Sequence, residues 1–247
     1  MTNNSMAIRF SKYISLFKIA ALAKYATVLI GFWGAYWSAQ FFLASNAYYS
    51  VKNNVEQWQR EPNEVSVEKA NAALAKIDTS IRYFSENSLY FQMRGQVYEW
   101  LAYTGSDNSN QYLNDAISSY QQSILLRPYW AASWVGLASS KWKLNEVDDE
   151  FYHYLATAQE VGPQDAVLHS FISEFGLSMY EARSIHYVNV KPILTKHLDL
   201  GLQNPLSRQR IVQSITDKAL ETTACRWLKS SQYSVRKQIP GCITYNK

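Results

Sequence analysis

Glycine and proline are scarce in this chain of 247 residues, at 9 and 6. So few backbone breakers exclude a turn-rich β architecture and leave long helices. Cysteine is scarcer: Cys225 and Cys242 stand alone, which excludes a disulfide-dense small domain and any Cys-x-x-Cys site. The four histidines, His153, His169, His186 and His197, lack the His-Glu-x-x-His spacing of a helical zinc site. P-loop, Gly-x-Gly-x-x-Gly and Gly-x-Ser-x-Gly patterns are also missing. With no nucleophile, metal cage or phosphate cradle in view, the expectation is a non-enzyme without metal or cofactor. Asp148, Asp149 and Glu150 form an acidic cluster, read as the first turn of a helix, where the macrodipole favours negative charge.

Charge is missing altogether from Tyr25 to Val51. The core of that run, ATVLIGFWGAYWSAQFFLA, supplies about 20 apolar residues, enough at about 1.5 Å each for a hydrocarbon layer of roughly 30 Å. Residues 25–47 are therefore expected to form a transmembrane anchor, with Tyr25, Tyr48 and Tyr49 as interfacial rings. A cleaved signal peptide ending at Ser45-Asn46-Ala47 is the alternative, opposed by the length of the run and of the segment before it. Residues 1–24 carry Arg9, Lys12, Lys18 and Lys24 with no acid. This basic tail places the N-terminus in the cytoplasm and the rest of the chain beyond the membrane. Ile8, Phe10, Tyr13, Ile14, Leu16, Phe17, Ile19 and Ala20 recur at near-helical spacing there. Either a surface-lying amphipathic helix or an extension of the anchor fits them.

The remaining chain has two electrostatic halves. Residues 53–182 contain 8 basic and 17 acidic side chains, and residues 183–247 contain 11 and 3. The basic half offers Arg208, Arg210, Lys218, Arg226, Lys229, Arg236 and Lys237 as a patch. Outside the cytoplasm its partners would be an anionic polymer, lipid headgroups or an acidic protein rather than nucleic acid; pairing with the chain's own acidic half is the simpler reading. Cys225 and Cys242 could close a disulfide in an oxidising compartment, or stay as two buried thiols.

A repeat organises the middle. In Ser88–Pro128, Phe91, Gly95 and Tyr98 mark one helix and Ala116, Tyr120 and Ser123 a second, closed by Pro128. Trp134, Leu137 and Ala138, then Leu155, Ala158 and Pro163, follow 35 residues later. Upstream, Ala73, Ile77 and Ser80 fit the second helix of a preceding unit whose first helix is about Tyr48–Arg60. These positions resemble the tetratricopeptide-repeat family, whose unit is about 34 residues, over roughly residues 65–165. Arg94 and the loop Thr104–Gln111 depart from its pattern. Helices are expected further on at 165–175, 178–190 and 205–230, with a break at Lys191-Pro192 and a start at Asn204-Pro205. The fold class is therefore all-α: a basic tail (1–24), an anchor (25–47), tetratricopeptide-like repeats (48–165) and an irregular helical cap (166–247).

Carried over from that family, the concave face of the first helices would present Gln92, Gln96, Glu99 and Trp100, then Ser139, Trp142 and Lys143. The polar residues could hold an extended peptide and the rings could stack on sugars; alternatively both tryptophans fill the space between units. The layout, with the block Tyr120–Asp149, is also similar to VpsP-like accessory proteins of bacterial exopolysaccharide biosynthesis. That resemblance implies an inner-membrane, single-pass protein with a periplasmic domain. It would assist polysaccharide polymerisation or export through other membrane or periplasmic proteins of that machinery, or through an anionic polysaccharide. A general periplasmic scaffold or chaperone for envelope proteins or pili is the competing class.

Overall fold

A computed structural model describes residues 3–105 and 107–242, with side chains from Leu22 onward, and every regular element in it is helical. The tail side chains discussed above, through Ala20, lie outside the described side chains. The first helix, α1 (Asn3–Arg60), is continuous for 58 residues, about 87 Å at the usual rise. It stops before Pro62, which disfavours helical backbone at the preceding residue. Tail, anchor and first repeat helix are thus one element with no break at 24 or 47.

Residues 25–47 do not stand out as a separate span. Among the described residues no helix is long and apolar enough to cross a membrane. Gly31, Trp33, Gly34, Tyr36, Trp37, Ser38 and Gln40 dilute the aliphatic residues around them. The stretch nevertheless exposes its large side chains: Leu29, Ile30, Phe32, Trp33 and Phe42 each keep about two thirds of their surface open, at 66–72%.

From Ala44 onward α1 turns a buried face, Ala44, Val51, Val55 and Trp58, to its neighbours. Against it packs α2 (Val67–Tyr83), burying Ala70, Ala73, Ile77 and Ser80 at helical spacing. The sequence reading of this first hairpin holds. Next come α3 (Ser88–Tyr103) with α4 (Ser109–Leu126), then α5 (Ala131–Lys143) with α6 (Asp149–Val161). Helices α2, α3 and α6 start at side-chain caps: Ser66, Asn87 and Asp148 accept from the backbone N–H of Lys69, Leu89 and Phe151.

Tyr120 sets the spacing of the units. Its ring, 1% exposed, lies between Gly95 on α3 and Gly136 on α5. A Cβ at either glycine would come within 2.7 and 2.5 Å of ring carbons. Only hydrogen fits there, and the three helices close around the ring. Below it Ser123 donates to the Ser88 carbonyl (2.9 Å) and pairs with the Ser133 hydroxyl (2.8 Å). Arg94, out of pattern for the repeat, bridges units instead, to Asp78 (3.7 Å) and Ser119 (3.0 Å).

The hairpin order runs on where an irregular cap is expected. Helix α7 (Ala166–Glu181) buries nine residues from Leu168 to Leu177 and pairs with α8 (Tyr187–Gln203). The expected break at Lys191-Pro192 is absent: Pro192 sits inside α8, close to its start. The chain breaks earlier, at Arg183, which adopts φ 50°. Asn204 and Pro205 open α9 (Pro205–Asp217) as read, Asn204 accepting from the Leu206 N–H at 3.0 Å. The expected helix 205–230 is then cut at Ala219 (φ 52°) into α9 and α10 (Glu221–Trp227), followed by α11 (Tyr233–Arg236). Cys225 and Cys242 are joined in a disulfide, Cα atoms 5.5 Å apart, pinning the tail to α10.

Candidate functional site

Helices α1, α3 and α5 run the same way, each preceding an antiparallel partner, so residues at helical spacing on them form parallel stripes. The seven groove residues occupy the α3 and α5 stripes, half-buried except Lys143, which is exposed. Most of their polar atoms are engaged within the chain. Gln92 Oε1 accepts from Trp130 Nε1 at 3.0 Å. Glu99 joins the helices: its Oε1 accepts from Ser140 Oγ (3.3 Å) and pairs with Lys143 Nζ (3.3 Å). The buried Tyr120 phenol is pushed well above its ordinary pKa by burial and then by Glu99, with which it hydrogen-bonds. That cluster holds a phenol protonated; it does not activate one. Gln96 and Ser139 sit half-buried on the same stripes.

The two tryptophans belong to different cores. Trp100 meets Trp58 edge-on at 6.0 Å and Tyr103 at 5.3 Å, in the cluster built on α1 and α2. Trp142 meets Phe175 at 5.2 Å and Phe171 at 6.0 Å, in the cluster reaching α7. Both rings are half-buried and packed against aromatic neighbours. A cleft of about 270 Å³ beside Trp58, lined by Asn54, Gln57, Glu64, Lys69 and Ala72, adjoins the same aromatic group. No sequence pattern marks this cleft, because it arises from how α1 meets the turn after it.

The basic residues do not form one free patch. Arg208 closes the end of α8, donating to the carbonyls of Leu202 (2.8 Å) and Gln203 (2.9 Å). Arg210 and Lys218 reach the α7 acids Glu174 (2.7 Å) and Glu181 (3.1 Å). This is pairing within the chain between its basic and acidic halves. Arg226 donates to Thr223 (3.3 Å), Arg236 is half-buried on α11, and Lys229 and Lys237 are exposed.

Two groupings escaped sequence reasoning. Lys141, side chain 7% exposed, is ringed by Glu150 (2.6 Å), Asp148 (2.9 Å) and Glu146 (3.4 Å). Burial disfavours its charge, but the hydrogen bonds it donates to Glu150 and Asp148 outweigh it and raise its pKa above the usual lysine value. The acidic cluster at the head of α6 is therefore a clamp on a buried ammonium. Glu150 is held below the carboxylate range by Lys141 and then by Tyr154, whose own pKa rises to about 12 through burial and this bond. His169 on α7 and His197 on α8 form a buried pair, Nδ1 to Nδ1 at 2.9 Å. Burial pushes both below the usual imidazole value, His197 to about 4. One Nδ1 must donate and the other accept, so the acceptor ring is neutral, and burial disfavours charge on the donor ring. Among the described residues no group of three or more His, Cys, Asp or Glu is placed to hold a metal ion.

No protein-family model matches the chain, and no curated protein matches it. Among solved structures, the crystal structure of MamA protein is similar at a TM-score of 0.37 and 14% identity, over 82% of this chain and 97% of that one.

Proposed function

We propose that this chain is a non-catalytic scaffold held at the bacterial inner membrane by α1, its N-terminus cytoplasmic and its helical repeats in the periplasm. One observation carries the reading: an exposed apolar stretch of α1 runs without interruption into the buried helix of the first hairpin. Contiguous apolar surface on that scale demands a cover. A bilayer supplies it, with Tyr25, Tyr48 and Tyr49 at interfacial depth. The disulfide accords with an oxidising compartment. The repeats then present the α1–α3–α5 stripes to a protein or anionic polymer. The similarity of Tyr120–Asp149 to VpsP-like proteins directs the proposal to exopolysaccharide assembly.

Alkaline phosphatase fused after Lys247 tests the topology: an active fusion is expected. An inactive one, beside an active cytoplasmic reporter at the same site, overturns it. Deleting the gene tests the role. Lost or shortened surface polysaccharide is expected, and unchanged polymer with defective pili or envelope proteins would transfer the scaffold to that second client class.

A further inference from the structure

The turns of the repeat array lie at two ends, and their chemistry differs. Four contacts locate the end nearest the apolar part of α1. Phe41 meets Phe84, in the turn after α2, at 4.6 Å, and Tyr48 meets Tyr90 at 5.3 Å. Ser123 reaches the Ser88 carbonyl at 2.9 Å, and Trp130 reaches Gln92 at 3.0 Å. The turn between α4 and α5 therefore lies level with about residues 41–48 of α1, where the exposed apolar stretch ends.

That turn is built unlike an ordinary solvated loop. Leu125 is 75% exposed and Tyr129 80%, with Leu126 beside them. The Arg127 guanidinium covers the Trp130 ring at 4.0 Å, and Trp134 Nε1 ties down the Pro128 carbonyl at 2.8 Å. The segment is thus rigid, apolar at its tip and cationic at its flank. Exposed Arg82, at the end of α2, adds a second cation on this side, beside the exposed acids Glu86 and Glu160. The opposite turns expose Glu61, Glu64, Asp107, Glu146 and Asp149, some 28 Å away along α1 at the helical rise.

Aliphatic tips, tyrosine and tryptophan rings and arginine together match the headgroup layer of an anionic bilayer, while the opposite end lacks such an apolar tip and carries more acids than cations. We propose that the α4–α5 turn, Leu125 to Trp130, rests in the headgroup layer of the membrane that holds α1. The array is thereby seated on the bilayer in a fixed orientation. The inference rests on the membrane reading of α1.

Both native cysteines are bonded to each other, so a single introduced thiol can be labelled in the full chain. Tyr129→Cys and, at the acidic end, Asn63→Cys would each carry a polarity-sensitive fluorophore. The labelled chains are reconstituted into vesicles of phosphatidylethanolamine and phosphatidylglycerol. A blue shift at position 129 with several-fold quenching by headgroup-spin-labelled lipid, and neither change at 63, is the expected result. A water-like label at 129 on protein that floats with the vesicles overturns the seating and leaves the membrane reading intact. A blue shift without lipid quenching also overturns it, because the turn is then covered by protein. A chain that fails to float with the vesicles overturns both readings.

Discussion

Gly136→Ala tests the packing logic of the array at its tightest point. In a helix interior the change alone is favourable by about 1 kcal/mol, because glycine loses more backbone freedom on folding. Here the added methyl would stand 2.5 Å from Cε1 and Cζ of Tyr120, whereas carbon atoms pack at about 3.5–4 Å. Something must yield by about 1 Å, judged against that spacing. The ring has little room to retreat toward α3, since Gly95 meets the same Cδ1–Cε1–Cζ edge at a would-be Cβ distance of 2.7 Å. The strain must be taken by opening α3 from α5, which also stretches the Ser140–Glu99–Lys143 link. Overpacking of this kind costs about 1–3 kcal/mol, and with the ring trapped the upper end applies. The net expectation is destabilisation by about 1–2 kcal/mol and a Tm lowered by roughly 3–6 °C. Thermal unfolding of the detergent-solubilised chain, followed by far-UV circular dichroism, measures it. Tyr120→Leu removes the ring, so on that background Gly136→Ala should lose its penalty, with a coupling of about 1 kcal/mol or more in the double-mutant cycle. A raised Tm for Gly136→Ala, or effects of the two changes that simply add, would refute the reasoning.

The buried histidine pair should make stability pH-dependent above the carboxylate range. Both folded pKa values are depressed, so the unfolded chain binds more protons, and stability falls as pH drops from about 6.5 toward 4 with a slope up to about 1.4 kcal/mol per pH unit for each extra proton. Urea melts at pH 7, 5.5 and 4.5 measure this, and a His169→Gln, His197→Gln chain with an unchanged slope would contradict it. Lys141→Met should return the Glu150 and Asp148 carboxyls toward ordinary values, read by NMR titration; carboxyls that stay depressed would mean that capping, not the ammonium, holds them. Trp142→Gln removes a ring packed on Phe171 and Phe175 and is expected to cost about 2–3 kcal/mol; a loss below about 0.5 kcal/mol, within the range of surface changes, would return that tryptophan to the candidate ligand face. Cys225→Ser should lower stability by about 3 kcal/mol through the freed loop, measured by urea unfolding against the oxidised parent chain.

The hairpins were readable because their spacing is carried by residues of distinctive size. Ala73, Ile77 and Ser80, or Gly95 with Tyr120, announce a close helix contact from sequence alone, and all are buried. Beyond Glu181 the break at Asn204-Pro205 was readable, but those at Arg183 and Ala219 were not. Arg183 and Ala219 take left-handed backbone without the glycine that ordinarily signals it, while Pro192, the conspicuous breaker, is tolerated near the start of α8. The site was harder still. His169 and His197 are separated by 28 residues, and no spacing rule links them; they meet because α7 and α8 are antiparallel. Lys141 was indistinguishable from Lys143, two residues on, until the fold placed one inside a ring of carboxylates and the other at the surface.

The engaged state of the groove constrains how it could bind anything. A ligand lying along α3 and α5 finds Gln92 already accepting from Trp130, and Glu99 already shared between Ser140 and Lys143. Taking those groups for itself returns only the difference between two hydrogen bonds, a fraction of the roughly 1 kcal/mol that one contributes net. Glu99 is also the partner of the buried Tyr120 phenol, so drawing it outward would disturb the ring that spaces the units. Affinity on this face must therefore come from apolar contact with the open edges of Trp100 and Tyr103, and from Gln96 and Ser139. Such a surface selects by shape, and it suits a partner presenting a matching helix or strand better than a highly charged polymer. For a charged polymer the exposed cations Lys229 and Lys237 lie in the C-terminal segment, beyond α8. A polymer ligand would therefore respond to changes there, and a protein partner to changes at Trp100 and Tyr103.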